Sequence, residues 1–448
     1  MRWRRAIYRF TDNTQIERWQ LMALNVVTRE LNTQNFELLK HLPKNPMTYV
    51  RGGDGLVGWG EAARLESRLP AGRMSDLAAQ WRSLCADAEI ENQMQLPGTG
   101  LVAFGSFAFA DHSLASSVLI VPRIILGSRD GRVWLTSVSD SDQTNDLSAA
   151  EDFWSHPAEY PTNRSVVFEG GNTNTDKYLD LVATAVEKIA AGDLSKVVLS
   201  RDIQAVLPKD FDLRTVLQKL ALQYPTCWVY SVDGMFGASP ELLVRVAHAQ
   251  VSARVLAGTA GRGTDPGVDQ AIAVALAASS KNTAEHAFAV DSLVKSLEPF
   301  CTHVDADSVP FSLALPNVWH LASDVHGVLR EDASVLDVAA ALHPTAAVAG
   351  TPTNIAQDLI SELEQNDRGR YAGPVGWIGS DGDGEWAIAL RGAQIENSGG
   401  AQIELAGREQ EPARIRAFAG GGIVAESEPD AELAETELKF RPIREALS

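Results

Sequence analysis

The stretch over residues 418–439, FAGGGIVAESEPDAELAETELK, constrains this chain more than any other. Three consecutive glycines, Gly420, Gly421 and Gly422, leave the backbone bare enough for its N–H groups to approach an anion closely. The acid-rich segment that follows predicts a helix, with Pro429 in its first turn. This stretch is therefore the clearest indication of a ligand site in the sequence.

Charged side chains line one face of that predicted helix. At about 100° per residue, one narrow stripe carries Glu428, Glu432, Glu435 and Lys439. The stripe could be a solvated face with a Glu435–Lys439 ion pair. Apolar residues on both sides favour partial burial instead, and buried carboxylates need a partner or a metal. Since no Cys or His joins them, these oxygen ligands favour Mg²⁺ over Zn²⁺.

The overall charge restricts the partners of the chain. The formal net charge of −19 argues against binding to nucleic acid or to an anionic membrane. An anionic substrate must then be held by a local positive site. Cys85, Cys227 and Cys301 lie far apart and show no metal-ligand spacing, which predicts free thiols in a reducing cytoplasm. We expect no signal peptide and no membrane span.

The pattern of apolar residues predicts an α+β chain. Strand-like runs with glycine turns dominate residues 1–165, including a turn near Asp130, and a polar passage follows at 139–164. From residue 174, helices alternate with strands, and Thr175 is the expected cap of a helix closed by Gly192. A long helical stretch at 269–297 is interrupted near residues 279–282. Hairpin-like strand pairs favour largely antiparallel sheets over a doubly wound fold.

Two residues in separate strands are candidates for acid–base chemistry. Lys196 begins the strand-like segment KVVLSR, where it is either an edge-strand lysine or an interior base with a lowered pKa. Glu241, in SPELLV, is either a turn residue or a buried acid with a raised pKa. A base and an acid from different strands could act on opposite faces of one substrate.

Four further segments carry weaker signals. Glu285 lies near the apolar face of a predicted helix and could equally be an exposed helical glutamate. His320 is either a core histidine or a ligand. Arg391 either binds a carboxylate or ends a strand in solvent. The GTAGRG turn that begins at Gly258 suggests a phosphate loop, but it lacks the Lys-Ser/Thr ending of a P-loop.

Taken together, ten ordered blocks over residues 174–445 resemble the chorismate-utilising enzymes, and most closely the menaquinone-specific isochorismate synthases. The blocks are KVVLSR, SPELL, LAGT, KNxxEH, NVWHL, LHPTAAVAGTP, DRGRYAGPVGW, WAIALR, AGGGIV and ExxETxxK. The resemblance implies one large α+β fold over residues 1–448, like that of anthranilate synthase component I, with two antiparallel sheets flanked by helices. Residues 174–445 would form the catalytic module, and residues 1–165 a less specific N-terminal half.

The resemblance also implies roles for individual residues. Lys196 would be the base that activates water for addition at C2 of chorismate, and Glu241 the acid that protonates the departing 4-hydroxyl. Glu285 and Glu435 would bind Mg²⁺ directly, and Glu432 would lie next to these ligands without binding the metal itself. The substrate would be bound by Gly258, Thr259, His320, Ala347, Tyr371, Arg391, Gly420, Gly421, Gly422 and Lys439.

Two positions bear on which member of the group the chain resembles. Ala347 stands where ammonia-using or pyruvate-eliminating relatives tend to carry Thr, which favours water as nucleophile and release of isochorismate. Asn282 replaces the usual acid before Glu285 and puts one metal contact in doubt. The alternatives are a salicylate synthase, an aminodeoxychorismate synthase, an inactive chorismate-binding protein and, more distantly, a nucleotide-binding enzyme. We expect a monomer without an obligate glutaminase subunit, whose product feeds either menaquinone or a siderophore.

Overall fold

The computed structural model describes residues 23–33, 36–140, 160–314, 318–396 and 412–448, with the backbone alone at residues 259 and 318. The chain divides into two compact units. The first unit consists of Met1–Glu241, Pro344–Ser380 and Ala387–Ser448, and the second of Leu242–His343 and Asp381–Trp386. The prediction of one catalytic domain over residues 1–448 stays a prediction.

The described elements are strands and helices in mixed order. The strands are β1 (Leu24–Leu31), β2 (Met47–Arg51), β3 (Asp54–Trp59), β4 (Ala63–Ser67), β5 (Glu89–Asn92), β6 (Val102–Ser106), β7 (Ser117–Val121), β8 (Ile124–Arg129), β9 (Arg132–Asp140), β10 (Glu169–Gly170), β11 (Lys196–Val206), β12 (Trp228–Val232), β13 (Met235–Ser239), β14 (Leu242–Ala247), β15 (Gln250–Gly261), β16 (Cys301–Ala306), β17 (Phe311–Ala314), β18 (Val318–Leu329), β19 (Gly350–Thr351), β20 (Pro374–Gly379), β21 (Gly384–Ile388), β22 (Gly392–Glu396) and β23 (Arg414–Ile423). The helices are α1 (Arg73–Ala86), α2 (Thr175–Ala190), α3 (Leu213–Gln223), α4 (Pro266–Ala278), α5 (Ser280–Leu297), α6 (Val335–Leu342), α7 (Thr353–Glu364) and α8 (Pro429–Ala446), with a 3₁₀ turn at Leu38–Lys40.

The first unit is built on a large sheet in the order β10-β11-β23-β22-β13-β12-β2-β3-β8-β9-β1-β5, with β19 against β11. It also contains the run β20-β6-β7-β4. In the second unit β16, β18, β15 and β14 are neighbours in that order, and β17 pairs with β18. Among the described pairings with a given register, β1 with β5 is parallel and the others are antiparallel. The expected α+β class, with antiparallel sheets flanked by helices, is confirmed.

Strand β11 is central to the first unit because it is buried along most of its length. Val197 through Ile203 are all buried, as expected for a strand covered on both faces. Helices α2 and α7 pack on β11, and α8 packs on β23 and α2. At the end of α8, Phe440 and Ile443 enter the same apolar core as Leu217 of α3. This packing fixes the helix that carries the acid stripe.

Local sequence signals predicted several elements correctly. The buried face of α2 consists of the five residues that share a helical stripe, Tyr178, Leu181, Val182, Ala185 and Ile189. The break between α4 and α5 falls at Ser279, and the β8–β9 turn contains Asp130. The expected cap was wrong by one residue, because Asn174 accepts the hydrogen bond from Lys177 N and Thr175 is already helical.

Other expectations concern the chain as a whole. All three cysteines are free thiols, as predicted. None of the described helices combines the length and apolar composition needed to cross a bilayer. Most of the polar passage at 139–164 lies outside the described residues, which resume at residue 160.

Candidate active site

The Lys196 side chain crosses the neighbouring strand β23 at a glycine. Strand β11 pairs with β23 so that Val198 is opposite Gly422 and Val197 is opposite Ile423. A β-carbon on Gly422 would come within 2.7 Å of Lys196 Cε. Because no real β-carbon approaches so closely, glycine at this position is what lets the lysine side chain cross the strand.

Lys196 and Glu241 are partly buried residues of opposite charge, each of which affects the ionisation of the other. Burial lowers the pKa of Lys196, while the nearby Glu241 acts in the opposite direction. Burial likewise raises the pKa of Glu241, against the influence of Lys196, Arg391 and Lys439. Desolvation disfavours the charged form of each group. Burial therefore shifts both groups toward their neutral forms, which are the forms required of a general base and a general acid.

The backbone around Glu241 is held by hydrogen bonds at the end of β13. Glu241 N donates to Ser239 Oγ at 3.2 Å, and that hydroxyl donates to Ile388 O at 2.5 Å. Ile388 N in turn donates to Glu241 O at 3.0 Å. These bonds fix the position from which the acid side chain projects.

Cationic and aromatic groups surround this pair. Arg391 adopts a left-handed backbone conformation with φ of 52°, and its carbonyl accepts a hydrogen bond from Ala238 N. The Tyr371 ring stacks on Phe418 at 5.1 Å, and burial raises the pKa of its phenol. Because Arg391 is close enough to act on the ionisation of both Glu241 and Tyr371, it lies in the same site. A guanidinium here can bind a substrate carboxylate.

Lys439 connects α8 to the glycine strand. Its Nζ donates to Gly420 O at 2.7 Å and forms an ion pair with Glu435 one turn earlier in the helix. The Glu435–Lys439 pair of the solvated-face alternative is therefore present, but it does not exclude a ligand role because Glu435 remains half-exposed. The burial expected on both sides of the stripe is only half right: Phe440 is buried, but Leu438 is 54% exposed.

The three glycines of β23 make space for other groups. A β-carbon on Gly420 would meet Leu199 O at 2.5 Å, and one on Gly421 would meet Glu432 Oε2 at 2.6 Å. Their contacts, together with that of Gly422, explain why a strand otherwise rich in side chains carries GGG. The role of their amides in binding a substrate carboxylate stays a prediction.

Glu432 offers an oxygen that is not used within the described protein. Its Oε1 accepts a hydrogen bond from Ser427 Oγ at 2.7 Å, whereas its Oε2 is buried without a partner. Burial raises the pKa of this carboxyl group, and the neighbouring Glu435 acts in the same direction. Two adjacent carboxylates with an unused oxygen fit the ligand preferences of Mg²⁺. The described residues contain no preformed group of three or more His, Cys, Asp or Glu side chains that could hold a metal.

The other candidate site residues, Glu285, Gly258, Thr259 and His320, belong to the second unit. Glu285 on α5 is 55% exposed and lies 3.9 Å from Lys281, as in the exposed-glutamate alternative. The next residue, His286, is buried and contacts Ala257 O and Ser323 Oγ. Gly258 has a φ of 74°. The backbone of Thr259 pairs with His320 across β15 and β18, while the Thr259 side chain lies outside the described part.

Ala347 lies in the loop between α6 and β19. It is exposed, and the two following amides donate to Thr345 O at 3.2 and 3.0 Å. Its influence on product choice stays a prediction. Sequence reasoning missed Ser427, the hydroxyl that holds Glu432, and it placed Tyr178 only in the core. A polar residue just before the helix was the available signal for Ser427.

Comparisons with known proteins bear on the family and the fold of the chain. Residues 10–448 match the family described as chorismate binding enzyme. The isochorismate synthase DhbC of Bacillus subtilis is 36% identical over 284 residues, which cover 61% of this chain and 68% of that protein. The isochorismate synthase MenF of the same organism is 29% identical over 415 residues, covering 88% and 85%. The structure of MenF, the menaquinone-specific isochorismate synthase from Escherichia coli, is similar in fold, with a TM-score of 0.71 and 24% identity over 95% of each chain.

Proposed function

Because this chain belongs to the family of chorismate binding enzymes, we propose that it is an isochorismate synthase, which converts chorismate to isochorismate. One observation carries the proposal: Lys196 and Glu241 are close enough to act on each other's ionisation, and burial favours the neutral form of both. An exchange of hydroxyl groups needs one group that accepts a proton and one that donates it.

The proposed reaction is an addition of water coupled to loss of a hydroxyl group. The Lys196 amine takes a proton from water as the water oxygen bonds to C2 of chorismate, and both double bonds of the ring shift by one position toward C4. The C4–O bond breaks as Glu241 gives its proton to the departing hydroxyl, which leaves as water. Lys196 ends as an ammonium and Glu241 as a carboxylate, and proton exchange with solvent restores both.

The cations of the site would hold the dianionic substrate. Arg391 and Lys439 both influence the ionisation of Glu241, so each is near the reacting region. A guanidinium binds a carboxylate through two parallel hydrogen bonds, and an ammonium binds it as a point charge. Their local positive charge offsets the net charge of −19, which would otherwise repel chorismate.

We propose that Mg²⁺ is the cofactor, with Glu435 among its direct ligands and Glu432 as a supporting carboxylate. The unused Glu432 Oε2 and the half-exposed Glu435 support this choice. A bound Mg²⁺ would neutralise a substrate carboxylate and hold it in place. The participation of Glu285 rests on the sequence resemblance.

A salicylate synthase or an aminodeoxychorismate synthase is the second candidate, and Ala347 favours water addition over both. A methyl side chain offers no hydroxyl to orient a competing nucleophile. We further propose that the enzyme acts in the cytoplasm as a monomer without a glutaminase subunit. Its product would supply either menaquinone or a siderophore.

Product analysis tests the proposal directly. We expect chorismate and Mg²⁺ to give isochorismate, with little salicylate and with no aminated product in the presence of ammonium chloride. Activity should vanish in EDTA and return with Mg²⁺. Salicylate with equal pyruvate, or an aminated product, as the main output would contradict the assignment. Undiminished turnover in EDTA would rule out the metal.

Variants test the two catalytic roles. Lys196→Ala and Glu241→Gln should each lower kcat by about 10²- to 10⁴-fold, with a much smaller change in chorismate affinity. Lys188→Ala is the control, because Lys188 pairs with Glu362 on the surface of α2. Near-normal kcat in either catalytic variant would disprove the corresponding role. Ala347→Thr should slow isochorismate formation and allow traces of pyruvate elimination.

A further inference from the structure

Two buried oxygen atoms without partners face the same glycine. Tyr178 on α2 is fully buried, and its hydroxyl has no hydrogen-bond partner among the described residues. The same is true of Glu432 Oε2 on α8. A β-carbon built on Gly421 would lie 3.4 Å from the Tyr178 hydroxyl and 2.6 Å from Glu432 Oε2. The absence of a side chain at Gly421 leaves open the space that these two oxygens share.

One of these two groups can donate a hydrogen bond and the other can accept it. An ionised carboxylate can only accept hydrogen bonds, and the phenol O–H is the only donor in the Tyr178 side chain. Leaving either group buried without a partner is costly. Both groups lie within 3.4 Å of the position of a β-carbon on Gly421, and the Glu432 carboxylate contributes to the raised pKa of the Tyr178 phenol. Burial and the surrounding carboxylates keep the phenol protonated, and it therefore retains the proton needed for donation.

We propose that Tyr178 is a positioning residue, whose hydroxyl is linked to Glu432 Oε2 through one water in the space beside Gly421, which leaves a second lone pair of that oxygen for a ligand. Ser427 already holds the other oxygen at 2.7 Å, so the carboxylate would be fixed at both ends. A carboxylate held in this way presents its remaining lone pairs in one orientation. Partners of this kind tune metal affinity, and their removal typically costs about 10- to 100-fold.

The sheet holds this arrangement in register. Gly421 is opposite Leu199 in the β11–β23 ladder, and α2 packs against α8. Tyr178 and Glu432 therefore come from two packed helices on one side of the ladder. Tyr178 would connect the buried core to the acid stripe without touching the substrate.

Calorimetric titration of the intact protein with Mg²⁺ alone tests the consequence for the metal, which rests on the proposed function. We expect Tyr178→Phe to weaken Mg²⁺ binding by about 10- to 100-fold. Tyr160→Phe is the matched control, because the Tyr160 hydroxyl already accepts a hydrogen bond from Leu42 N at 2.6 Å. Glu432→Ala should weaken binding, and adding Tyr178→Phe to it should have no further effect. Unchanged Mg²⁺ affinity in Tyr178→Phe would overturn the inference and leave the proposed function intact.

A second measurement separates the inference from the metal proposal. Thermal unfolding in EDTA is compared for the natural protein, Tyr178→Phe, Glu432→Ala and the double variant. If the hydroxyl is linked to the carboxylate through a water, the midpoint shift of the double variant should differ from the sum of the single shifts. Additive shifts would overturn the inference. If the natural protein binds no Mg²⁺, the proposed cofactor fails, and this cycle still decides the role of Tyr178.

Discussion

At the residue scale, burial decides the chemistry of the site. Lys196 and Glu241 would be an ordinary surface cation and anion if both were exposed to water. Their burial moves the two pKa values toward each other, because it disfavours the charge on each. Gly422 contributes by leaving room for the lysine side chain. The position of the base relative to the acid therefore depends on the space that Gly422 leaves open.

The pKa directions predict a bell-shaped dependence of kcat/KM on pH. Activity needs Lys196 without its proton and Glu241 with its proton, so the rate should fall on both sides of an optimum. The lowered pKa of Lys196 and the raised pKa of Glu241 move both limbs of the profile toward neutrality. Residual activity in Glu241→Gln should lack one of the two limbs. A flat profile in the natural enzyme would contradict this pairing.

Gly422→Ala should reduce turnover without unfolding the protein. The added methyl group would meet Lys196 Cε at 2.7 Å, so the flexible lysine must move away. Displacement by about 1 Å at a reacting centre can cost about 10²-fold in rate. Steady-state kinetics would be compared with Gly170→Ala, where the nearest atom lies 3.9 Å away. Equal activities for the two variants would show that the lysine does not need this space.

At the scale of elements, the site depends on how α8 and α2 are attached to β11 and β23. Arg201 of β11 is buried and donates to Thr436 Oγ1 of α8 at 2.7 Å, and it also pairs with Glu437. Lys439 reaches from the same helix to β23. These bonds set the rotation of α8, and therefore which of its carboxylates face the glycines.

The cap of α2 gives a prediction at this scale. Asn174→Ala should lower the free energy of unfolding by about 1 kcal/mol, because the bond to Lys177 N is lost. Thr175→Ala should change it by less than about 0.5 kcal/mol, since Thr175 is already inside the helix. Chemical denaturation of both variants measures the difference. A larger loss in Thr175→Ala would restore the cap expected from the sequence.

At the scale of the whole molecule, the chain is strongly acidic, and its buried positive charges are balanced by nearby acceptors. The net charge of −19 argues against anionic polymers as partners, while several buried arginines have specific acceptors. The clearest case is Arg368, which forms two bonds to Glu364 and a third to Val198 O. Glu364 also accepts from Ser200 N at 2.7 Å, so this buried pair joins α7 to β11.

Breaking the buried pair should affect the stability of the first unit. Glu364→Ala leaves Arg368 buried without its partner and should cost about 3–5 kcal/mol in unfolding free energy. Glu362→Ala, on the same helix, removes only an exposed pair with Lys188 and should cost less than about 1 kcal/mol. Replacing both partners, with Glu364→Leu and Arg368→Met, should recover much of the loss. Similar losses for Glu364→Ala and Glu362→Ala in thermal or urea unfolding would contradict this account.

The sequence by itself determined the structural features that depend on residues close together along the chain. The buried face of α2, the break at Ser279 and the Glu435–Lys439 pair follow from helical periodicity and from local capping and turn preferences. The ordered blocks likewise identified the family. Each of these signals is carried by residues within a few positions of one another, so no knowledge of the tertiary structure was needed.

Only the tertiary structure decided between alternatives that differ in burial. It placed Lys196 in the interior rather than on a solvated edge, made Glu241 a buried acid, and left Glu285 exposed. It also showed that the glycines make room for Lys196 and Glu432. The physical reason is that desolvation and close approach depend on groups brought together by sheet pairing, and β11 and β23 are distant in sequence. A pattern along one strand cannot reveal what the neighbouring strand leaves open.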